Sequence, residues 1–270
     1  MKKTIFCACM AGMLLACSNV EKEAAQKLEA ARIAYEQGDY NEAKLQIDSI
    51  KILYPKAFET RRAGIKLMQD VELKEQENSL AYLDSLLAEK QLRLDSLKGS
   101  FVLEKDTVYQ NVGNYLHPSQ VIEKNLHRSF LRFQVDERGK MRMTSIYCGA
   151  TFIHHTAVKV TAPDGSYAET PVSHDSYETT DLGEKIEKAD YVLEEDGGVI
   201  RFIVANKDHS LRVTYEGDRS FTTRMLPADR QAAAAVYQLA GTLAAITQIQ
   251  KSREEANLKI AFIKAKKEKQ

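Results

Sequence analysis

The sequence predicts an α+β fold. A helical hairpin is followed by a long antiparallel, coiled-coil-like helix pair, with an antiparallel β-sandwich-like domain inserted between the two long helices. Three observations lead to this fold class. Apolar residues recur at helical spacing up to residue 98, they alternate with polar residues between 101 and 226, and helical spacing returns from Pro227 onward. A period of two is typical of strands, whereas a repeat every three or four residues is typical of helices.

The first residues of the chain have the composition of a secretion signal. Lys2 and Lys3 supply positive charge, residues 5–15 form an apolar stretch too short to span a bilayer stably, and Ala16 is a small residue at the expected cleavage point. An ordinary cleaved signal followed by a chance cysteine, or an uncleaved anchor, is the alternative interpretation. We expect no other stretch of the sequence to be apolar enough to span a membrane.

The end of this signal carries a more specific pattern. The tetrapeptide Leu14–Cys17 resembles the lipobox of bacterial lipoproteins, and the resemblance implies that residues 1–16 are removed and that fatty acyl chains such as palmitate are attached to Cys17. Several acyl chains on one residue hold a protein at a membrane essentially permanently. Ser18 follows directly, and in the enterobacterial pattern the lack of aspartate there favours the outer membrane. We therefore expect a lipid-anchored protein of the cell envelope, on the periplasmic or the surface face of the outer membrane.

Residues 17–63 are predicted to hold a short tether and a helical hairpin. Helical spacing continues to Tyr35, breaks at Gly38, and resumes until Pro55. The segment 31–57 resembles one tetratricopeptide repeat, in which glycine permits the turn and proline ends the second helix. Such repeats need about three copies to form a stable array, so we expect a lone hairpin.

Residues 64–99 are predicted to form one long helix, which Gly99 ends. Leucines at every seventh position give it a narrow apolar stripe, which needs a partner helix. Residues 227–270 offer a second apolar face, and we expect this C-terminal helix to pack antiparallel on the first. The two stripes consist of Leu73, Leu80, Leu87 and Leu94, with Leu83 and Leu97 beside them, and of Val236, Leu239, Leu243, Ile246, Ile249, Ile260 and Ile263.

Residues 100–226 are predicted to form an antiparallel β domain. Apolar and polar residues alternate in 131–135, 158–160 and 211–215, and turn-forming sequences rich in glycine, asparagine and aspartate separate such segments. Six to eight short strands joined in this way indicate a sandwich or a strongly curved sheet. We expect residues 181–191 to interrupt the strands as a polar loop or short helix. The implied architecture is a helical stalk that ends in a β domain.

Charge and cysteine content exclude several classes of function. The chain has 38 basic and 38 acidic residues, and this balance argues against a nucleic-acid partner. Of the four cysteines, two lie in the signal and Cys17 would carry lipid, so only Cys148 would remain as a free thiol. We therefore expect no disulfide within the processed chain.

Cys148 with His154 and His155 is the candidate for a thiol nucleophile and its base. Adjacent histidines in a strand point to opposite faces, so at most one of them can serve, and no motif indicates a third residue to orient it. Cys148 lies in an apolar strand context, where a lone cysteine usually behaves as a small hydrophobic residue. We therefore expect no catalytic residue.

Four histidines and two aspartates are the candidates for a transition-metal site. None of them shows a tight ligand spacing such as paired histidines on one helical face, and no calcium-loop pattern is present, so we expect neither a metal nor a cofactor. The residues are His154, His155, His174, His209, Asp175 and Asp208.

The sequence therefore favours a non-catalytic, lipid-anchored envelope lipoprotein that acts as a structural or protein-interaction module. Its layout resembles that of envelope lipoproteins from Gram-negative gut-type bacteria. We expect contact with the membrane through Cys17 and with a protein partner in the envelope, through residues that the sequence does not identify. The alternative is a small-ligand or glycan-binding protein, since the β region has many tyrosines, although the chain has no tryptophan. A hydrolase that uses Cys148 is the third hypothesis.

Overall fold

A computed structural model describes the backbone of residues 5–106 and 108–269, and the side chains from Val20 onward. Within this part, five α-helices and two antiparallel sheets make a mixed α and β protein. The side chains of the predicted signal, 1–16, and of the predicted lipidation site, Cys17, lie outside the described residues. The helices are α1 (Ile5–Glu36), α2 (Tyr40–Leu53), α3 (Phe58–Lys98), α4 (Val199–Ala205) and α5 (Pro227–Glu268).

The described strands all lie between Val102 and Arg224. They are β1 (Val102–Glu104), β2 (Asn114–Leu116), β3 (Phe130–Asp136), β4 (Met141–Gly149), β5 (Ala157–Thr161), β6 (Tyr167–Glu169), β7 (Ser176–Asp181), β8 (Glu184–Val192), β9 (Arg212–Glu216) and β10 (Phe221–Arg224). Strands β3, β5 and β9 confirm the strands predicted from alternation at 131–135, 158–160 and 211–215.

The chain divides into two compact units. The helical unit contains the described residues up to Leu86 and those from Lys251 onward, and the sheet unit is Leu87–Gln250. Helices α3 and α5 therefore contribute to both units. The predicted start of the long helix at residue 64 is wrong: α3 begins at Phe58, because the chain turns into the next helix soon after Pro55.

The first two helices of the helical unit form the predicted hairpin. Gly38, with φ of +80°, lies in the turn between them, and the Asp39 side chain accepts a hydrogen bond from the Glu42 amide at 3.0 Å at the start of α2. Alanines on the facing sides let the helices approach closely. The buried residues of this core are Ala24, Leu28, Ala31, Ala34, Ala43, Ile47, Ile50, Ala57, Leu67 and Val71.

Helices α3 and α5 run side by side within the helical unit. Asp70 of α3 forms an ion pair with Lys267 of α5, and Asp84 forms one with Arg253. Since the residue number rises along one helix as it falls along the other, these segments are antiparallel.

Ten strands form the two sheets of the sheet unit. The larger has the order β1-β2-β3-β4-β8-β7 and the smaller β10-β9-β5-β6, with neighbours antiparallel throughout. The prediction of a loop or short helix at 181–191 is wrong, because most of this segment is β8. Leu182 and Gly183, both with positive φ, make the tight turn that joins β7 to β8.

One buried apolar cluster fills the sheet unit. It draws residues from both sheets and from α4, and Val236, Leu239 and Leu243 of α5 pack into it. By length and composition alone, α5 is the one described helix that could cross a membrane, so the expectation that no stretch after the signal is apolar enough to do so was wrong. Burial of these α5 side chains accounts for that apolar composition.

The turn between β3 and β4 packs directly on α5. Gly139 has φ of +91°, and a Cβ atom there would lie 2.2 Å from the backbone nitrogen of Ala244. The Thr247 hydroxyl donates a hydrogen bond of 3.0 Å to the carbonyl of Arg138 beside it. A side chain at position 139 would therefore force the turn away from the helix.

Candidate functional site

Cys148 lies near the end of β4 and is half-buried. Its thiol donates to the Glu184 carboxylate, with Sγ 3.3 Å from Oε2, and the same carboxylate contacts the imidazole of His127. Burial, reinforced by the Glu184 hydrogen bond and charge, raises the pKa of Cys148 to about 11. The thiol is therefore protonated at neutral pH, a state that does not favour nucleophilic attack.

His155 is not next to Cys148 but in the interior of the sheet unit. Its Nδ1 lies 2.9 Å from Oε2 of Glu187, and its Nε2 lies 2.8 Å from the hydroxyl of Ser145. This order of serine, histidine and carboxylate resembles that of hydrolase triads. All three side chains are fully or almost fully buried, which leaves Ser145 without access to a substrate.

The Glu187 carboxylate instead holds the connection between β4 and β5. It accepts hydrogen bonds from the backbone amides of Ile153, His154 and His155, at 2.5, 2.9 and 2.8 Å, in addition to the imidazole. Burial alone would raise the pKa of Glu187, but these hydrogen bonds outweigh burial and lower it. Burial also lowers the pKa of His155, so a neutral imidazole donates to an ionised carboxylate.

The other predicted candidates do not converge. His154 is exposed and pairs with Glu178 at 2.8 Å, while His209 lies in a turn beside Asn206. Asp208 pairs with Lys207. Among the residues that the structure describes, no group of three or more histidine, cysteine, aspartate or glutamate side chains has an arrangement that could hold a metal ion.

His174 and Asp175 lie in the connection that leads into β7, and Asp175 borders a polar recess of the sheet unit. The Ser173 hydroxyl holds this connection, since it donates to the carbonyls of Asp175 and Asp190, at 3.1 and 2.9 Å. Asp175 therefore takes a fixed position beside the outer face of the six-stranded sheet.

We name the recess on this outer face the outer trough. Its volume is about 220 Å³. The lining residues are Arg132, Gln134, Thr144, Ile146, Asp175, Tyr177, Lys188 and Asp190.

Strand alternation and register bring these side chains together. In β4 the odd-numbered residues from Met141 to Tyr147 are buried, so Thr144 and Ile146 point to the opposite face. Thr144 pairs with Arg132 on one side and with Asp190 on the other. Ile146 pairs with Lys188, which in turn pairs with Tyr177 of β7. The outer trough thus consists of neighbouring cross-strand rows.

Several polar groups of the outer trough have no partner among the described residues. Arg132 is held by Glu104 at 2.7 Å, yet its Nε is buried without a hydrogen bond, and Thr144 donates to Asp190. Within the described part of the chain, no hydrogen bond or ion pair engages the side chains of Gln134, Asp175, Tyr177 and Lys188. Tyr177 is 60% exposed.

The outer trough offers groups that suit binding. It presents an ammonium group, carboxylates, an amide and an aromatic ring to one ligand surface, with two basic and two acidic side chains in balance. Pockets that enclose a whole small molecule usually have about 300–1,000 Å³, so a recess of this size suits part of a larger partner.

Sequence reasoning did not find the outer trough. Most of its residues are polar members of alternating strands, and that alternation was visible for β3. The register that brings β3, β4, β8 and β7 together was not, because the contributing segments lie up to about 60 residues apart. No protein-family model matches the chain, and no curated protein matches its sequence.

Proposed function

We propose that this chain is a non-catalytic lipoprotein of the cell envelope, anchored by lipid on Cys17, which acts as a structural or protein-interaction module. We place it at the outer membrane, on the periplasmic or the surface face. The observation that carries the interaction role is the outer trough. Its Gln134, Asp175, Tyr177 and Lys188 side chains lack partners within the described chain, while the opposite face of the sheet packs on a filled core.

The candidate nucleophiles support a role without catalysis. The Cys148 thiol is held protonated beside Glu184, and the Ser145 hydroxyl is buried. A hydrolase that uses Cys148 therefore has little support from the geometry. Its test is Cys148→Ala, which should leave every cellular phenotype of the protein unchanged.

We also propose the finer features of the fold. The ion pairs between α3 and α5 in the helical unit support an antiparallel, coiled-coil-like pair. The buried cluster shared by the two sheets supports a sandwich-like packing of the sheets.

The lipid anchor is tested by metabolic labelling with palmitate and by fractionation. The wild-type protein should incorporate label and remain with membranes after high-salt washing, whereas Cys17→Ser should incorporate none. An unlabelled wild-type protein, or a Cys17→Ser variant that stays in the same membrane fraction, would contradict the anchor.

The interaction surface is tested by capture of partners from detergent-solubilised envelopes. Tyr177→Ala removes the exposed ring of the outer trough and should lower recovery of a specific protein about tenfold or more, as interface tyrosines often do. Tyr167→Ala is the matched control, because Tyr167 is 57% exposed but lies on β6 of the other sheet. Equal recovery with both variants, or no protein above background with the wild type, would refute this surface.

The second candidate function is the binding of a glycan or other small ligand. The exposed ring of Tyr177 favours it, together with the unpaired amide of Gln134 and the carboxylate of Asp175 in the same recess, since sugars stack on aromatic rings and bond to such groups. Binding to a panel of neutral polysaccharides in affinity electrophoresis, lost in Tyr177→Ala and kept in Tyr167→Ala, would support this function over a protein partner.

A further inference from the structure

We infer that the helical unit itself contacts the membrane, through an anchor-side surface formed by the connection of α2 to α3. On this surface exposed apolar side chains enter the headgroup region, and lysine and arginine side chains bind lipid phosphate groups. The inference rests on the proposed lipid anchor. The surface consists of Lys51, Ile52, Leu53, Lys56, Phe58 and Arg62.

The surface lies close to the residue that would carry the lipid. The Glu21 carboxylate of α1 accepts hydrogen bonds from the Thr60 amide at 2.8 Å and from its hydroxyl at 2.9 Å, so the early part of α1 is fixed beside the start of α3. Cys17 precedes Glu21 by four residues, and even a fully extended chain of that length spans only about 14 Å. Acyl chains on Cys17 would therefore bring this end of the helical unit to the bilayer surface.

Large apolar side chains are exposed at this place. Ile52 is 74% exposed, Leu53 60% and Phe58 69%, and only four residues separate Leu53 from Phe58. Exposed apolar side chains grouped in this way usually mark a surface that binds a partner or a membrane. Side chains of this kind, flanked by lysine, can enter the boundary between headgroups and acyl chains.

Positive charge accompanies them. Lys51, Lys56 and Arg62 are exposed, and Lys266 of α5 lines the same recess as Lys51 and Arg61. The whole chain has no net charge, so this concentration of cations is local. Each lysine or arginine near a membrane surface adds about 1 kcal/mol of attraction to anionic lipid, or about fivefold in binding.

Acidic residues offset part of this charge. Glu59 is loosely paired with Arg62, with 3.9 Å between the charged atoms, and Asp48 and Glu72 line the same recess as Lys51. Glu21 is engaged in its bonds to Thr60. The anchor-side surface therefore combines apolar and cationic side chains, which is the composition that binds a bilayer surface. The proposed lipid on Cys17 would hold this surface next to a bilayer, so we take the bilayer as its binding partner.

The test uses the processed, lipidated protein in vesicles, with an environment-sensitive dye on a single cysteine and a spin-labelled lipid as quencher. The probe sites are Phe58→Cys and Tyr82→Cys, each in a Cys148→Ser background. Tyr82 is the matched control because it is 67% exposed on the same helix, about 36 Å farther along within the helical unit. Vesicles of phosphatidylcholine alone and with phosphatidylglycerol separate apolar insertion from phosphate binding.

We expect the spin-labelled lipid to quench the dye at position 58 and not at position 82. The quenching at position 58 should be stronger in vesicles that contain phosphatidylglycerol than in those of phosphatidylcholine alone. Lys56→Glu together with Arg62→Glu should weaken the quenching at 58. Equal quenching at both positions in a palmitate-labelled protein overturns the inference and leaves the anchor intact, whereas absence of palmitate refutes the anchor and the inference with it. If the dye at position 58 is shielded from water only when another envelope protein is present, the inference is also overturned.

Discussion

Replacing Glu187 by glutamine tests the role of the buried carboxylate in the sheet unit. The carboxylate is 1% exposed and accepts four hydrogen bonds: the backbone amides of Ile153 and His154 share one oxygen, and the amide and imidazole of His155 share the other. Glutamine has nearly the same size but only one acceptor oxygen. Whichever way its amide turns, two of the four donors face an NH₂ group.

The expected loss follows from these two donors. A buried donor without an acceptor costs about 1–3 kcal/mol, so two of them cost about 2–6 kcal/mol. We therefore expect Glu187→Gln to lower the free energy of unfolding by about 2–6 kcal/mol. A typical domain has only about 5–15 kcal/mol, so the loss is a large share of the total.

The assay is urea denaturation at pH 7, followed by circular dichroism. Glu178→Gln is the matched control, because Glu178 also bonds a histidine of this connection but its side chain is 40% exposed, and its loss should stay within about 0.5 kcal/mol. A loss below about 1 kcal/mol for Glu187→Gln would refute the assignment of the carboxylate as the group that holds this connection.

Three further predictions concern the same unit. Gly139→Ala adds a Cβ against the backbone of Ala244 as well as strain at positive φ, and it should lower the free energy of unfolding by about 2–5 kcal/mol. Gly165→Ala is the control, because Gly165 has a similar φ but open space around it, and its loss should be about 1 kcal/mol. Equal losses of the two variants in thermal unfolding would contradict the close approach of the turn to α5. Because the pKa of the Cys148 thiol is about 11, roughly one thiol in ten thousand is ionised at pH 7. The rate of its alkylation should rise about tenfold per pH unit up to about pH 11. A plateau of the rate near pH 8 would contradict the raised pKa. Burial lowers the pKa of His155 from its ordinary 6.5, so the unfolded chain binds the proton more tightly than the folded chain. The free energy of unfolding should therefore fall as the pH drops below 6.5, by at most about 1.4 kcal/mol per pH unit. His155→Gln should flatten this slope in urea titrations, and an unchanged slope would refute the assignment of the pH dependence to His155.

The success of sequence reasoning depended on whether core-facing positions were apolar. In β3 the inward residues Leu131, Phe133 and Val135 make the alternation plain. In β8 the first core-facing residue is Glu187, which faces inward to hold the β4–β5 connection, so the segment has the composition of a polar loop. The residue that breaks the apolar pattern of β8 is therefore Glu187, which holds the β4–β5 connection.

Local geometry also overrides propensity at α4. Val199–Ala205 is rich in β-branched residues, which are typical of strands. It is helical because the Asp196 carboxylate accepts the amide of Ile200 at 2.6 Å, after a turn in which Gly198 has φ of +82°. Periodicity alone does not distinguish a short buried helix from a buried strand.

The candidate site was beyond the reach of the sequence for a different reason. Tyr177 and Lys188 were visible as residues of polar segments, but their neighbours Arg132 and Thr144 come from strands far away in the chain. A shift of one residue in any register would send each of these side chains to the opposite face. Only the assembled sheet defines the outer trough.

The division of the chain has a consequence for the order of folding during synthesis. The sheet unit is one continuous segment, Leu87–Gln250, and can collapse as soon as that stretch has emerged. The helical unit is interrupted by it: the apolar core of its first helices lies within residues 24–71, whereas its residues from Lys251 onward are made only after the sheet unit. Closing such a long loop is slow, and until then the side of α3 that pairs with α5 in the helical unit stays open to whatever chaperone or translocation machinery surrounds the nascent chain.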